Sequence, residues 1–64
     1  MYTVYAYNFI GTVSREWNFL EKGYAEMTFR TAARCMDCKL AQLIDAMTSE
    51  IIMEYEHGKE IQVF

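Results

Sequence analysis

The spacing of apolar residues divides this chain into three stretches. Tyr2 to Phe9 is rich in β-branched and aromatic residues and reads as a β-strand, with Thr12 to Phe19 as its partner. From Tyr24 to about Met47, the apolar positions Ala25, Phe29, Ala33, Met36, Leu40, Leu43 and Met47 recur at intervals of three and four, with Ile44 beside them. That is the stripe of an amphipathic helix. Beyond it, Ser49 to Tyr55 and Lys59 to Phe64 read as a second pair of strands. The expected architecture is α+β: two β-hairpins forming an antiparallel sheet, with one long amphipathic helix packed on it (ββαββ).

A competing pattern exists in the middle stretch. Ala25, Met27 and Phe29 alternate as in a strand, and Thr31 is a suitable N-cap for a shorter helix beginning there. The helical spacing runs in phase through Thr31 without a break, and the long helix is the preferred reading.

Each hairpin carries a glycine at its loop. A two-residue turn would place β-branched Ile10 at positive φ, whereas a three-residue loop ends on Gly11 in the left-handed conformation. That register aligns Tyr5 and Tyr7 with Val13, Arg15 and Trp17 on one face. With Gly58 in the same role, Met53 pairs with Ile61 and Ile51 with Val63. Val4, Ala6, Ile52 and Phe64 then lie on the sheet face turned away from the helix.

Composition adds a stability problem. A chain of 64 residues supports one domain and buries a modest fraction of its unfolded surface. It is 53% hydrophobic and 16% aromatic but has two cysteines, too few for a disulfide scaffold. Association with a second copy or a protein partner is the expected supplement. Nothing resembles a signal peptide or a membrane span, so the expected compartment is the cytoplasm, with reduced thiols and no membrane partner. The net charge of -3 is unevenly placed: from Asp45 onward five acids face one lysine. That asymmetry argues against direct nucleic-acid binding there and for a basic partner.

Candidate chemistry is sparse. Cys35-Met36-Asp37-Cys38 is a C-x-x-C. On the long helix both cysteines fall on the outer face with Arg34 and Gln42, a surface suited to packing against a second helix in a homodimer or a partner. A thioredoxin-like role needs the first cysteine at a helix N-terminus. A zinc site needs four donors, and His57 is the only histidine in the chain. His57 itself reads as a hairpin-tip residue, and no phosphate-cradling loop or catalytic triad pattern appears. No cofactor, metal or enzymatic activity is expected.

The expectation that remains is a small, non-enzymatic protein-binding domain. Glu50, Glu54, Glu56 and Glu60 would meet a basic surface, with Ile52 and Phe64 as apolar anchors. Small acidic proteins of this kind serve phages and mobile elements as inhibitors of host complexes, including ones whose basic grooves hold nucleic acid. The alternative is a metal- or redox-dependent protein using Cys35 and Cys38. A third reading, direct nucleic-acid binding, would rest on Arg30, Arg34 and Lys39.

Overall fold

Strand β1 (Tyr2–Tyr7) is followed by β2 (Val13–Phe19), helix α1 (Lys22–Ala33), β3 (Leu40–Asp45), β4 (Glu50–Glu56) and the short β5 (Gln62–Val63) in a computed structural model that describes residues 1–64. The strands form one antiparallel sheet in the order β2-β1-β3-β4-β5. The helix lies on one face, against β1, β3 and β2. At about 1.5 Å per residue its 12 residues span roughly 18 Å, close to the length of the strands beneath it.

Cross-strand partners share a face, so the ladders assign every strand side chain. On the helix side, one row runs Trp17, Val4, Leu43, Met53 and the next runs Arg15, Ala6, Ala41, Tyr55. Against these rows α1 buries Ala25, Phe29, Ala32 and Ala33. Three of those four are alanine, which lets the helix backbone approach the sheet closely, while Phe29 fills the space between. Phe29, Leu43, Met53 and Val4 are the largest fully buried side chains. The buried cluster also takes in Cys38, from the turn after the helix.

The long helix expected from Tyr24 to Met47 is not formed; α1 ends at Ala33. Arg34 is its C-cap, and its N–H reaches the carbonyls of Thr31 and Ala32. Residues Leu40–Asp45 form a strand instead, so ββαββ becomes ββαβββ. The reason lies in the position of β3. It pairs with β1 on one side and β4 on the other, and it carries Ala41 and Leu43 toward the helix and Leu40 and Ile44 toward the opposite face. A central strand that is apolar on both faces loses the alternation that marks a half-buried strand, and its residues fit a helical stripe equally well.

Both glycines take the expected positive φ, Gly11 at 95° and Gly58 at 84°, but only the first loop has the expected three residues; in the second, β4 ends at Glu56 and β5 begins at Gln62, so the connection runs over 57–61. The first is further organised by Asn8, whose Oδ1 accepts hydrogen bonds from the N–H groups of Ile10 (3.0 Å) and Thr12 (3.2 Å). The registers differ from expectation. Tyr7 pairs with Val13 as anticipated, but a bulge beside Ala6 then shifts the ladder by one residue, so that Tyr5 faces Glu16 and Trp17 faces Val4. Val4 and Ala6 consequently point into the core, not away from the helix. In the second hairpin Met53 pairs with Val63, two residues along from the expected Ile61 and on the same face.

Candidate functional site

One sheet face carries the helix; the other carries nothing. Three rows cross this helix-free face: Asn18, Thr3, Ile44, Ile51; then Glu16, Tyr5, Gln42, Glu54, Gln62; then Val13, Tyr7, Leu40, Glu56. Tyr5 and Tyr7 stand side by side near its centre, ring centroids 6.4 Å apart and tilted by 43°. Both rings, and Leu40 and Ile44 beside them, are half-buried by their neighbours alone. The charged residues that the strands present here, Glu16, Glu54 and Glu56, are all acidic. Gln42 Nε2 donates to Glu54 Oε2 at 2.8 Å, which fixes one carboxylate at the middle of the face. Thr3 Oγ1 donates to Asn18 Oδ1 at 2.8 Å and so satisfies the only buried polar residue.

The sequence-derived contact residues gather along the outer edge of this face, with two exceptions. Glu54 and Glu56 lie on the face itself. Glu60 joins them around a shallow hollow of about 200 Å³ that Lys59 and Gln62 also line. Glu50, Glu54 and Phe64 border a second hollow with Ile51 and Ser49. Phe64 is largely exposed, and its N–H is anchored to the carbonyl of Ile52. Glu50 is one exception: it pairs with Asp45 in the row of Tyr2 and Phe19, on the helix side, and reaches only the margin of the second hollow. Ile52 is the other. A bulge between Leu43 and Ile44 makes it the extra residue of β4, and its side chain packs against the core. Ile51, opposite Ile44, occupies the apolar position on the open face. Lys59 reaches Glu56 at 3.5 Å, but both side chains are exposed and such a pair contributes little.

Tyr5, Tyr7, Glu16, Leu40 and Ile44 were not singled out in the sequence as contact residues. The signal available for the tyrosines was the Thr3, Tyr5, Tyr7 alternation within β1, two large aromatics on the polar side of a strand.

Arg34, Cys35, Cys38 and Gln42 do not share a helix face. Arg34 caps α1, Gln42 lies on β3 in the open face, and the cysteines occupy the turn between α1 and β3. The Cys38 N–H donates to the Cys35 carbonyl at 3.1 Å, closing that turn. Cys35 is exposed, whereas Cys38 is 3% exposed. Burial, reinforced by the nearby Cys35 and Asp37, pushes the Cys38 thiol above its ordinary pKa. The pair follows the C-terminal end of α1, where the helix dipole disfavours a thiolate, opposite to the arrangement that activates redox cysteines. Both line a cleft of about 60 Å³ with Arg15, Trp17 and Asp37, far below the volume of a typical ligand pocket. No three His, Cys, Asp or Glu side chains are grouped to hold a metal ion.

These environments predict unequal reactivity. With iodoacetamide near neutral pH, Cys35 should be alkylated promptly and Cys38 only on unfolding or at strongly alkaline pH. Mass spectrometry of the native protein should show one adduct, and two rapid adducts would contradict the burial of Cys38.

No helix is long and apolar enough to cross a membrane. Comparison with protein-family models, curated proteins and solved structures finds no match to this chain.

Proposed function

We propose that this chain is a non-enzymatic protein-binding domain that docks its helix-free sheet face onto a basic, partly apolar surface of a larger partner. The observation that carries this reading is the composition of that face. Adjacent tyrosines and the apolar residues Leu40, Ile44 and Ile51 are interspersed with carboxylates, and Glu16, Glu54, Glu56 and Glu60 outnumber the two lysines at the margin, Lys39 and Lys59. Uncovered apolar and aromatic patches rimmed by polar groups are characteristic of interaction surfaces. Aromatic sheets that bind single-stranded nucleic acid combine stacking with positive charge, and here the charge has the opposite sign.

In this reading Tyr5 and Tyr7 are the anchors. Glu16, Glu54 and Glu56 select a basic partner, and Glu50, Glu60 and Phe64 extend the contact along the β4–β5 edge. A partner surface that otherwise holds nucleic acid has the required charge, so occupying it would block that use. No covalent step is involved.

The test is retention of a partner from native extract on the immobilised protein, followed by quantitative binding. Raising ionic strength from about 0.05 to about 0.5 M should weaken the complex steeply, because exposed charge contacts are screened. The Glu16→Lys/Glu54→Lys variant should lose it at low salt. Glu16 is exposed and Glu54 half-buried on the open face, where its one hydrogen bond is to Gln42, so the fold should persist, as a far-UV spectrum of the variant will check. A complex insensitive to salt and to this double reversal would overturn the proposal.

A further inference from the structure

On the opposite side of the sheet, the C-terminal end of α1 and the β4–β5 hairpin enclose a groove of about 410 Å³, within the range of ligand-binding pockets. Its rim carries Arg30, Arg34 and His57, and its apolar surface comes from Met36, Tyr55 and Ile61. No acidic residue lines it, although the chain contains nine. We propose that this groove binds an acidic peptide segment bearing an apolar side chain, a site separate from the helix-free face and of opposite charge.

Three observations support that occupant. First, the arginines are unpaired: the molecule's one ion pair within 4 Å is Lys59 with Glu56. Arg30 and Arg34 are spaced i, i+4 at the end of a helix, where like charges repel; Glu26 stands one turn before Arg30, on the side away from Arg34, and makes no ion pair with it within 4 Å. Cations at a helix C-terminus do complement the dipole, which accounts for basic residues there. It does not account for the second observation, that Met36 is 93% exposed beside them, while Tyr55 and Ile61 are half-buried at the margin of the core. An apolar floor under an unpaired basic rim fits a ligand with both features. Third, His57 is held in place, its ring edge-on to Phe9 with centroids 5.1 Å apart, so the groove has a defined wall at its hairpin end.

The same features select a peptide over other anions. A free phosphate would leave most of the groove and its apolar floor unfilled. A nucleic-acid strand would bring a continuous row of phosphates, and the groove offers two arginines at one end to meet it. A short acidic segment places discrete carboxylates on two guanidinium groups, which bind them in bidentate fashion, and a leucine or phenylalanine on the floor.

The test uses the full chain labelled with ¹⁵N and the synthetic peptide acetyl-Glu-Leu-Glu-Phe-Glu-amide. Its lysine counterpart, acetyl-Lys-Leu-Lys-Phe-Lys-amide, and a short oligothymidylate serve as competing probes. The acidic peptide is expected to shift the amide signals of Arg30, Arg34, Met36, Tyr55 and Ile61. Arg30→Glu/Arg34→Glu should weaken it about tenfold or more. Both side chains are exposed, and the milder Arg30→Gln/Arg34→Gln variant should retain the native far-UV spectrum while still losing affinity. Glu16→Lys/Glu54→Lys should leave this binding intact, which separates it from the proposal for the other face. Four results would overturn the inference: no binding up to millimolar peptide, equal binding of the lysine peptide, preference for the oligothymidylate, or shifts mapping to the helix-free face.

Discussion

Phe29→Ala should leave the protein largely unfolded, or lower its thermal midpoint by tens of degrees. Phe29 is 0% exposed, the one large side chain that α1 contributes to the buried cluster, packed over the rows that contain Val4 and Leu43. Truncating a buried phenylalanine costs about 3–5 kcal/mol, because the apolar area returns to water and the cavity closes only in part. A chain of this length has a total stability of about 3–10 kcal/mol. Each 1 kcal/mol shifts the midpoint of so small a domain by about 4–8 °C. Neighbouring alanines at 25, 32 and 33 have no side-chain length with which to fill the void. Circular dichroism melts of the two proteins decide the matter, and a midpoint within a few degrees of the parent would show that Phe29 does not hold the helix to the sheet.

Ala41→Leu is the second large effect, and it separates the observed fold from the long helix that the apolar spacing suggests. On that helix, position 41 would lie outside the stripe and a leucine would be tolerated. In the structure Ala41 is 0% exposed at the centre of the sheet, between Ala6 on β1 and Tyr55 on β4, facing α1. A leucine there must push the helix away or force its neighbours from their rotamers. Overpacking of this kind costs typically 1–3 kcal/mol, so the midpoint should fall by about 4–24 °C. A neutral or stabilising result would place residue 41 at the surface.

Much of the frame was legible in the sequence. The β-branched and aromatic content of Tyr2–Tyr7, the polar alternation after Gly11 and the apolar run from Glu50 gave three strands, and the glycines gave two loop conformations. Leu40–Asp45 reads as helix because a strand with apolar residues on both faces, Ala41 and Leu43 toward the helix and Leu40 and Ile44 on the open side, has no two-residue hydrophobic period. The turn after it did carry a signal: Asp45 accepts the Met47 N–H through its carboxylate at 3.0 Å, ordinary turn chemistry for Asp followed by Thr and Ser. The acidic edge was legible as composition. Its orientation was not, because single-residue bulges near Ala6 and Ile52 reverse which side chains face the helix, and a bulge leaves no mark in an alternating pattern. For the same reason Tyr5, Tyr7 and Glu16 emerge as neighbours only once the register is known.

The sheet order has a kinetic consequence. β1 with β2, and β3 with β4, are joined by short connections and can pair within microseconds as local hairpins. The pairing of β1 with β3 instead brings Tyr7 to Leu40 across all of β2 and α1. The entropy of closing that long segment is therefore concentrated in one event, the meeting of two preformed hairpins under the helix. Substitutions along that seam, Val4 against Leu43 and Ala6 against Ala41, are expected to change the folding rate. Substitutions in β5, two residues at the sheet margin, are expected to change mainly the unfolding rate.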